Sequence, residues 1–114
     1  MNEKVELKIP NKKEYIVLVR LAVAALAQKY SIPIDITEEI KLAATEACNL
    51  AIKDITKRDL KISFSLQRNL FKFRLDTPTK QEHSGQNEMI SHTFLQEFMD
   101  EVTYGEQLTM TKKY

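Results

Sequence analysis

Apolar and polar residues alternate over Val5-Glu6-Leu7-Lys8-Ile9 and stop at Pro10. A period of two predicts a half-buried strand, and the proline at its end places it near a sheet edge. From Lys13 to Tyr30 the period becomes helical. Ile16, Val17, Val19, Leu21, Val23 and Leu26 cover more than one stripe, and Ala22, Ala24, Ala25 and Ala27 let other elements come close. A helix apolar on several sides is either central or shared with another subunit. Ser31-Ile32-Pro33 breaks it, because proline removes a donor and restricts the residue before it. A second helix is predicted from about Ile36 to Ile55. Asp35 or Thr37 can cap it, and Asp35-Ile36-Thr37-Glu38 has the spacing of a capping box. Ile36, Ile40, Ala43, Ala44, Ala47, Ala51 and Ile55 recur at helical spacing as its core face.

The second half begins with two alternating runs, Leu60 to Leu66 and Leu70 to Leu75, joined by Gln67-Arg68-Asn69. A link this short predicts an antiparallel hairpin. Asp76-Thr77-Pro78 ends the second strand, and the polar stretch from Thr79 to Asn87 reads as loop. Met89, Ile90, Phe94, Leu95, Phe98 and Met99 predict a third helix over Glu88–Glu101. Val102-Thr103-Tyr104 and Gln107 to Thr111 suggest a closing hairpin through Gly105-Glu106. Strands joined by tight turns, with helices grouped between them, argue a two-layer α+β sandwich. About three helices would cover one face of a mixed or antiparallel sheet.

Composition narrows this picture without changing it. A chain of 114 residues suits one domain, spanning residues 1–114. Its net charge of +1 gives no global field for nucleic acid or an anionic membrane. Cys48 is the single cysteine, so neither a disulfide framework nor a cysteine-built zinc site is available. The most apolar window, Ile16 to Ala27, is interrupted by Arg20 and is shorter than the roughly 20 residues of a membrane span. The beginning, Met-Asn-Glu-Lys, is no apolar signal region. The expectation is a reduced, cytoplasmic protein.

Candidate chemistry concentrates in Thr45-Glu46-Ala47-Cys48-Asn49-Leu50-Ala51, where an acid and an amide stand among small apolar residues. This stretch resembles the ATP-site helix of the anti-sigma-factor serine kinases, a branch of the GHKL (histidine-kinase-like) ATPases. The opening strand and helix, the approach Ile40-Lys41-Leu42-Ala43, the later Met99-Asp100-Glu101-Val102 and the closing Leu108 to Lys112 resemble the same family in the same order. The resemblance implies a GHKL-like sandwich, ATP and magnesium as cofactors, a sigma factor or a STAS-domain anti-anti-sigma protein as partner, and a homodimer. It assigns Glu46 the role of catalytic base and Asp76 that of adenine anchor.

Three departures stand against that chemistry. The family's magnesium-binding Asn lies four residues after the acid, where this chain has Leu50. Leucine offers no oxygen to a cation that demands oxygen donors. Asn49 is one place early, a rotation of about 100° on a helix; it could serve only after local distortion, and Lys53 shares the face of Glu46 and Leu50 instead. After Asp76 the expected Gly is replaced, with Thr77-Pro78 following, where close backbone approach is needed. The phosphate lid, Gly-rich in the family, is Glu82 to Glu88 with Gly85 alone; Gly105 is the only other glycine of the chain.

Other candidates are weaker. His83 and His92 lack the companions of a metal site, and His83-Ser84 is only a loop dipeptide. Cys48 in an Ala-rich helix reads as buried and inert. Lys57-Arg58 with Lys61 reads as a solvated basic turn. The first functional reading is therefore a regulator that binds a protein partner through a retained scaffold, its ATP site non-functional. The alternatives are an active ATP-dependent serine-protein kinase using Glu46, Asp76 and Asn49, and a structural subunit of a larger complex.

Overall fold

The computed structural model describes residues 3–52, 58–76 and 93–114. In chain order these form β1 (Glu3–Ile9), a 3-10 turn (Lys13–Tyr15), α1 (Ile16–Lys29), α2 (Ile34–Ile52), β2 (Leu60–Gln67) and β3 (Leu70–Leu75). A helical segment over residues 93–98, here α3, follows. The chain closes with β4 (Glu101–Thr103) and β5 (Leu108–Lys113). The sheet order is β1-β2-β3-β5-β4. Every neighbouring pair is antiparallel. The expectation of an α+β sandwich is met, with an antiparallel rather than mixed sheet among the described residues.

Period-two patterning gives the sheet two unlike faces. Leu60, Ile62, Phe64 and Leu66 of β2, Phe71, Phe73 and Leu75 of β3, and Leu108 and Met110 of β5 are all buried. They form the floor on which the helices rest. Phe64 sits edge-on to Phe71 and Phe73, with ring centroids 6.0 and 5.8 Å away. Such aromatic pairs add roughly 0.5–1.5 kcal/mol each beyond area burial. The opposite face carries Lys4, Glu6, Lys8, Lys61, Lys72 and Arg74.

The hairpin turns at Arg68-Asn69, with Gln67 opposite Leu70. Asn69 takes the left-handed φ of 63° that asparagine tolerates better than most residues. In the closing hairpin Gly105 has φ 154°, a conformation that L side chains rarely adopt.

The start of α2 corrects the capping-box expectation. The helix begins at Ile34, two residues before the predicted start. Thr37 N–H donates to the Pro33 carbonyl at 2.9 Å, so Pro33 occupies the cap position. Asp35 therefore lies inside the first turn, where its charge still suits the helix dipole. Thr37 is buried, and its hydroxyl donates to the same Pro33 carbonyl at 2.9 Å rather than capping. Proline caused the displacement: the residue that stops α1 also starts α2, because no N–H is required of a cap residue.

The first helix is less central than its composition suggests. Ile16, Val19, Val23 and Ala27 are buried, but Val17, Leu18 and Leu21 are 41, 42 and 60% exposed. The predicted end of α2 at Ile55, the loop from Thr79 to Asn87 and the first residues of the third helix lie outside the described residues. No described helix is long and apolar enough to cross a membrane.

Candidate functional site

The α2 helix positions the candidate chemistry. Ile40, Ala43, Ala44, Ala47, Cys48 and Ala51 form its buried stripe, and four alanines among them bring the backbone close to the sheet. Cys48 is fully buried, and loss of hydration pushes its thiol up to about 12, which makes it a packing residue rather than a nucleophile. Ile36 is half-buried against the same core.

The two sides of α2 are unlike. On one side Glu39 lies 3.5 Å from Lys112 Nζ of β5. Glu46 is seven residues further on and Leu50 eleven, so all three share that flank. Glu46 is half-buried and already engaged in an interaction. Leu50 is half-buried and packs against the core. Asn49 is also half-buried; it follows Glu46 by three residues and Leu42 by seven, and lies about 100° around the helix from Leu50, the place of the family's ligand.

On the other side, Lys41, Leu42 and Thr45 face α1. With Glu38 of α2 and Val17, Arg20, Leu21 and Ala24 of α1 they line an open groove of about 320 Å³. Leu21 and Leu42 are 60 and 51% exposed along it. Lys41 Nζ lies 3.4 Å from Glu38 on the rim.

Lys112 holds the base of the first flank. In phase with Leu108 and Met110, it points into the helical layer with its side chain only 13% exposed. Its ammonium donates to the Phe98 carbonyl at 2.7 Å, satisfying the last turn of α3. The same region is tied by Asp100, whose N–H donates to the Thr111 carbonyl at 2.9 Å and whose carboxylate accepts from Lys113 N–H at 2.6 Å. Lys112 was not among the residues singled out from sequence. The available signal was a lysine at an inward position of an alternating strand.

Asp76 closes β3, the middle strand of the sheet. Its N–H donates to the Lys61 carbonyl at 2.8 Å, which extends the hairpin ladder by one bond. Its carboxylate lies 3.4 Å from Arg74 Nε. Arg74 Nε has no aligned hydrogen-bond acceptor, so the contact is an ion pair without good hydrogen-bond geometry. Both side chains are about one-third exposed, and such pairs contribute roughly 0–1 kcal/mol. Arg74 was another residue sequence reading passed over, although i and i+2 on one strand always share a face.

Of the basic cluster, Arg58 is exposed and its carbonyl accepts from Asn11 Nδ2 at 3.0 Å, while Lys61 lies on the open face of the sheet. Lys53, Lys57, His83, Ser84, Gly85 and His92 lie outside the described residues. Among the described residues no three His, Cys, Asp or Glu side chains gather as a metal site would require.

Relatives share a substantial part of this chain. Over 70 residues it is 37% identical to the serine-protein kinase RsbW of Bacillus thuringiensis (strain Al Hakam) and of Bacillus cereus (strain AH820). That match covers 59% of this chain and 44% of each relative. It is 38% identical over 58 residues to the serine-protein kinase RsbW of Bacillus mycoides (strain KBAB4), covering 51% of this chain and 36% of the relative. The chain thus spans less than half the length of the curated relatives it matches. No family model matches it.

Proposed function

Because the chain is related to the RsbW-like anti-sigma-factor serine kinases, we propose that it is a regulator of that kind which works by binding a protein partner, with its ATP site non-functional. The partner is a sigma factor or a STAS-domain anti-anti-sigma protein. The observation that carries this reading is the exchange of roles along α2. Leu50, packed on the core, takes the place where the family's metal ligand would stand. The neighbouring amide is turned onto another line of the helix.

The residues present do not fit a magnesium–nucleotide complex of the family's kind. A magnesium ion bound through protein oxygens gains nothing from a leucine. Asp76 could still accept a hydrogen bond from an adenine amino group, but its carboxylate is already beside Arg74. No catalytic step is therefore assigned to Glu46. What the fold keeps is surface: the groove between α1 and α2 leaves Leu21 and Leu42 open to solvent, and large exposed apolar residues brought together in this way suit a docking face.

The reading is tested by titrating purified sigma factors and STAS-domain proteins from the same source into the protein without nucleotide. Saturable binding that is unchanged by added ATP and magnesium is expected. Binding that requires ATP and magnesium, or transfer of phosphate to a partner serine that disappears in Glu46→Ala, would establish the kinase reading instead.

A further inference from the structure

The face of the sheet turned away from the helices is polar, and its centre is ordered. Strand alternation sends Ser63 and Ser65 of β2, Lys72 and Arg74 of β3, and Thr109 and Thr111 of β5 to that side, opposite the buried floor. The register sets them in two rows. Ser65, Lys72 and Thr111 stand side by side, and Ser63, Arg74 and Thr109 form the next row. In each row a cation on the middle strand lies between two hydroxyls.

The two rows differ in what is still free. Ser63 is buried between its neighbours, and Arg74 stands 3.4 Å from Asp76. Lys72 is exposed, and Ser65 and Thr111 are half-buried. Among the described residues Lys72 has no acid within ion-pair distance, and the Ser65 and Thr111 hydroxyls have no hydrogen-bond partner. By contrast Lys4 lies 3.7 Å from Glu6, and Lys8 lies 3.8 Å from Asp59. Lys61 stands between Lys8 and Asp76, with no hydroxyl on either side.

Three donors side by side match an anion with three acceptor oxygens. A phosphomonoester offers three, with roughly one and a half to two negative charges; a carboxylate offers two oxygens and one charge. The surroundings restrict the source. Glu6, Glu101 and Asp76 border the rows and confine the positive field to their middle. A run of phosphates along a nucleic-acid strand would meet those acids, and neither row holds an aromatic side chain on which a base could stack. On so open a face a free anion keeps much of its water. The same group carried on a protein surface is closed over by the flat sheet, where its hydrogen bonds strengthen.

We propose that this face docks a phosphorylated side chain of a protein partner, held by Lys72 between Ser65 and Thr111 with Arg74 alongside. The site lies across the sheet from the α1–α2 groove, so the inference is independent of the docking face assigned there.

The test is an NMR titration of the isotope-labelled chain with four probes: a short Gly/Ser peptide carrying one central phosphoserine, its unphosphorylated counterpart, inorganic phosphate and oligothymidylate. Saturable shifts centred on the Ser65, Lys72 and Thr111 amides are expected with the phosphopeptide. The unphosphorylated peptide should leave them unmoved, and the other two probes should bind more weakly. Lys72→Gln, and Ser65→Ala combined with Thr111→Val, should each weaken phosphopeptide binding about tenfold. Lys61→Gln should leave it roughly unchanged. Lys72 is exposed, and the paired change removes only the hydroxyl from each strand residue, so unchanged thermal melts will show that the variants still fold. No saturable shift with the phosphopeptide, shifts centred elsewhere, equal shifts with the unphosphorylated peptide, inorganic phosphate or oligothymidylate bound as tightly, or Lys61→Gln weakening binding as much as Lys72→Gln would each overturn the proposal.

Discussion

The two flanks of α2 rest on one floor and have come to different ends. The flank facing α1 is open and carries Leu42 and Thr45 beside Leu21. The flank facing β5 carries Glu39, Glu46 and Leu50, and all three are engaged: Glu39 with Lys112, Leu50 with the core, and Glu46 in an interaction of its own. The contrast teaches that one buried stripe can hold a helix in place while its two exposed sides meet different neighbours. The buried alanine stripe fixes where α2 lies; it says nothing about what the exposed lines must do.

The largest effect should come from breaking the floor that both flanks share. Phe64→Ala removes a fully buried ring that meets two others. Such truncations cost about 3–5 kcal/mol. Urea unfolding should show that loss, and partner binding should fall with it.

A smaller effect, confined to the β5 flank, is expected from Lys112→Met. It removes a charged donor to the Phe98 carbonyl and leaves Glu39 without that partner. Hydrogen bonds to charged groups are worth about 1.5–3 kcal/mol, and unfolding free energies should drop by roughly that much. Amide exchange near Phe98 should quicken while the α1–α2 groove is unchanged. If exchange quickens equally on both flanks, they are not separable.

Acid should reveal a third, more local contribution. The Tyr30 hydroxyl, and then Lys29, hold the Glu3 carboxyl below its ordinary 4.5. A depressed carboxyl contributes stability above pH 4.5 and loses it as pH falls through the lowered value. The same contact pushes the Tyr30 hydroxyl up to about 12, so its share is complete below pH 10 and fades as pH rises towards 12. Tyr30→Phe should flatten both limbs of the pH–stability curve. A variant curve parallel to the wild type at both ends would dismiss the contact.

The smallest effect on stability should be the most telling for function. Leu21→Asp changes a 60% exposed residue in the α1–α2 groove. Surface changes of this kind stay within about 0.5 kcal/mol, yet binding of a sigma factor or STAS-domain protein should weaken at least tenfold. Unaltered binding would remove this groove from the docking face.

Much of the fold was legible because its elements obey one period at a time. The β2–β3 hairpin follows from strict alternation, and its buried apolar members are those the pattern puts inside, while Ser63 on the opposite face is buried as well. The start of α2 was misjudged because Pro33 was read only as a breaker, whereas its carbonyl opens the next helix. The breadth of α1 allows two readings, a central helix or one shared with another subunit, and the exposure of Val17, Leu18 and Leu21 speaks only against the first, because periodicity reports apolar character and not what covers it. In the candidate site, Glu46, Asn49 and Leu50 could be placed by angle around one helix. The engagement of Lys112 could not, since Glu39 and Phe98 are brought to it by the fold, whereas that of Arg74 with Asp76 lies within reach of the i, i+2 spacing of a strand.

The central claim, that α2 no longer supports magnesium-dependent nucleotide binding, is tested most directly by calorimetric titration of ATP with magnesium into the purified protein. The account predicts no saturable heat, with or without the metal. Saturable binding that requires magnesium, with a dissociation constant of about 10 µM or tighter (near −7 kcal/mol), would contradict it.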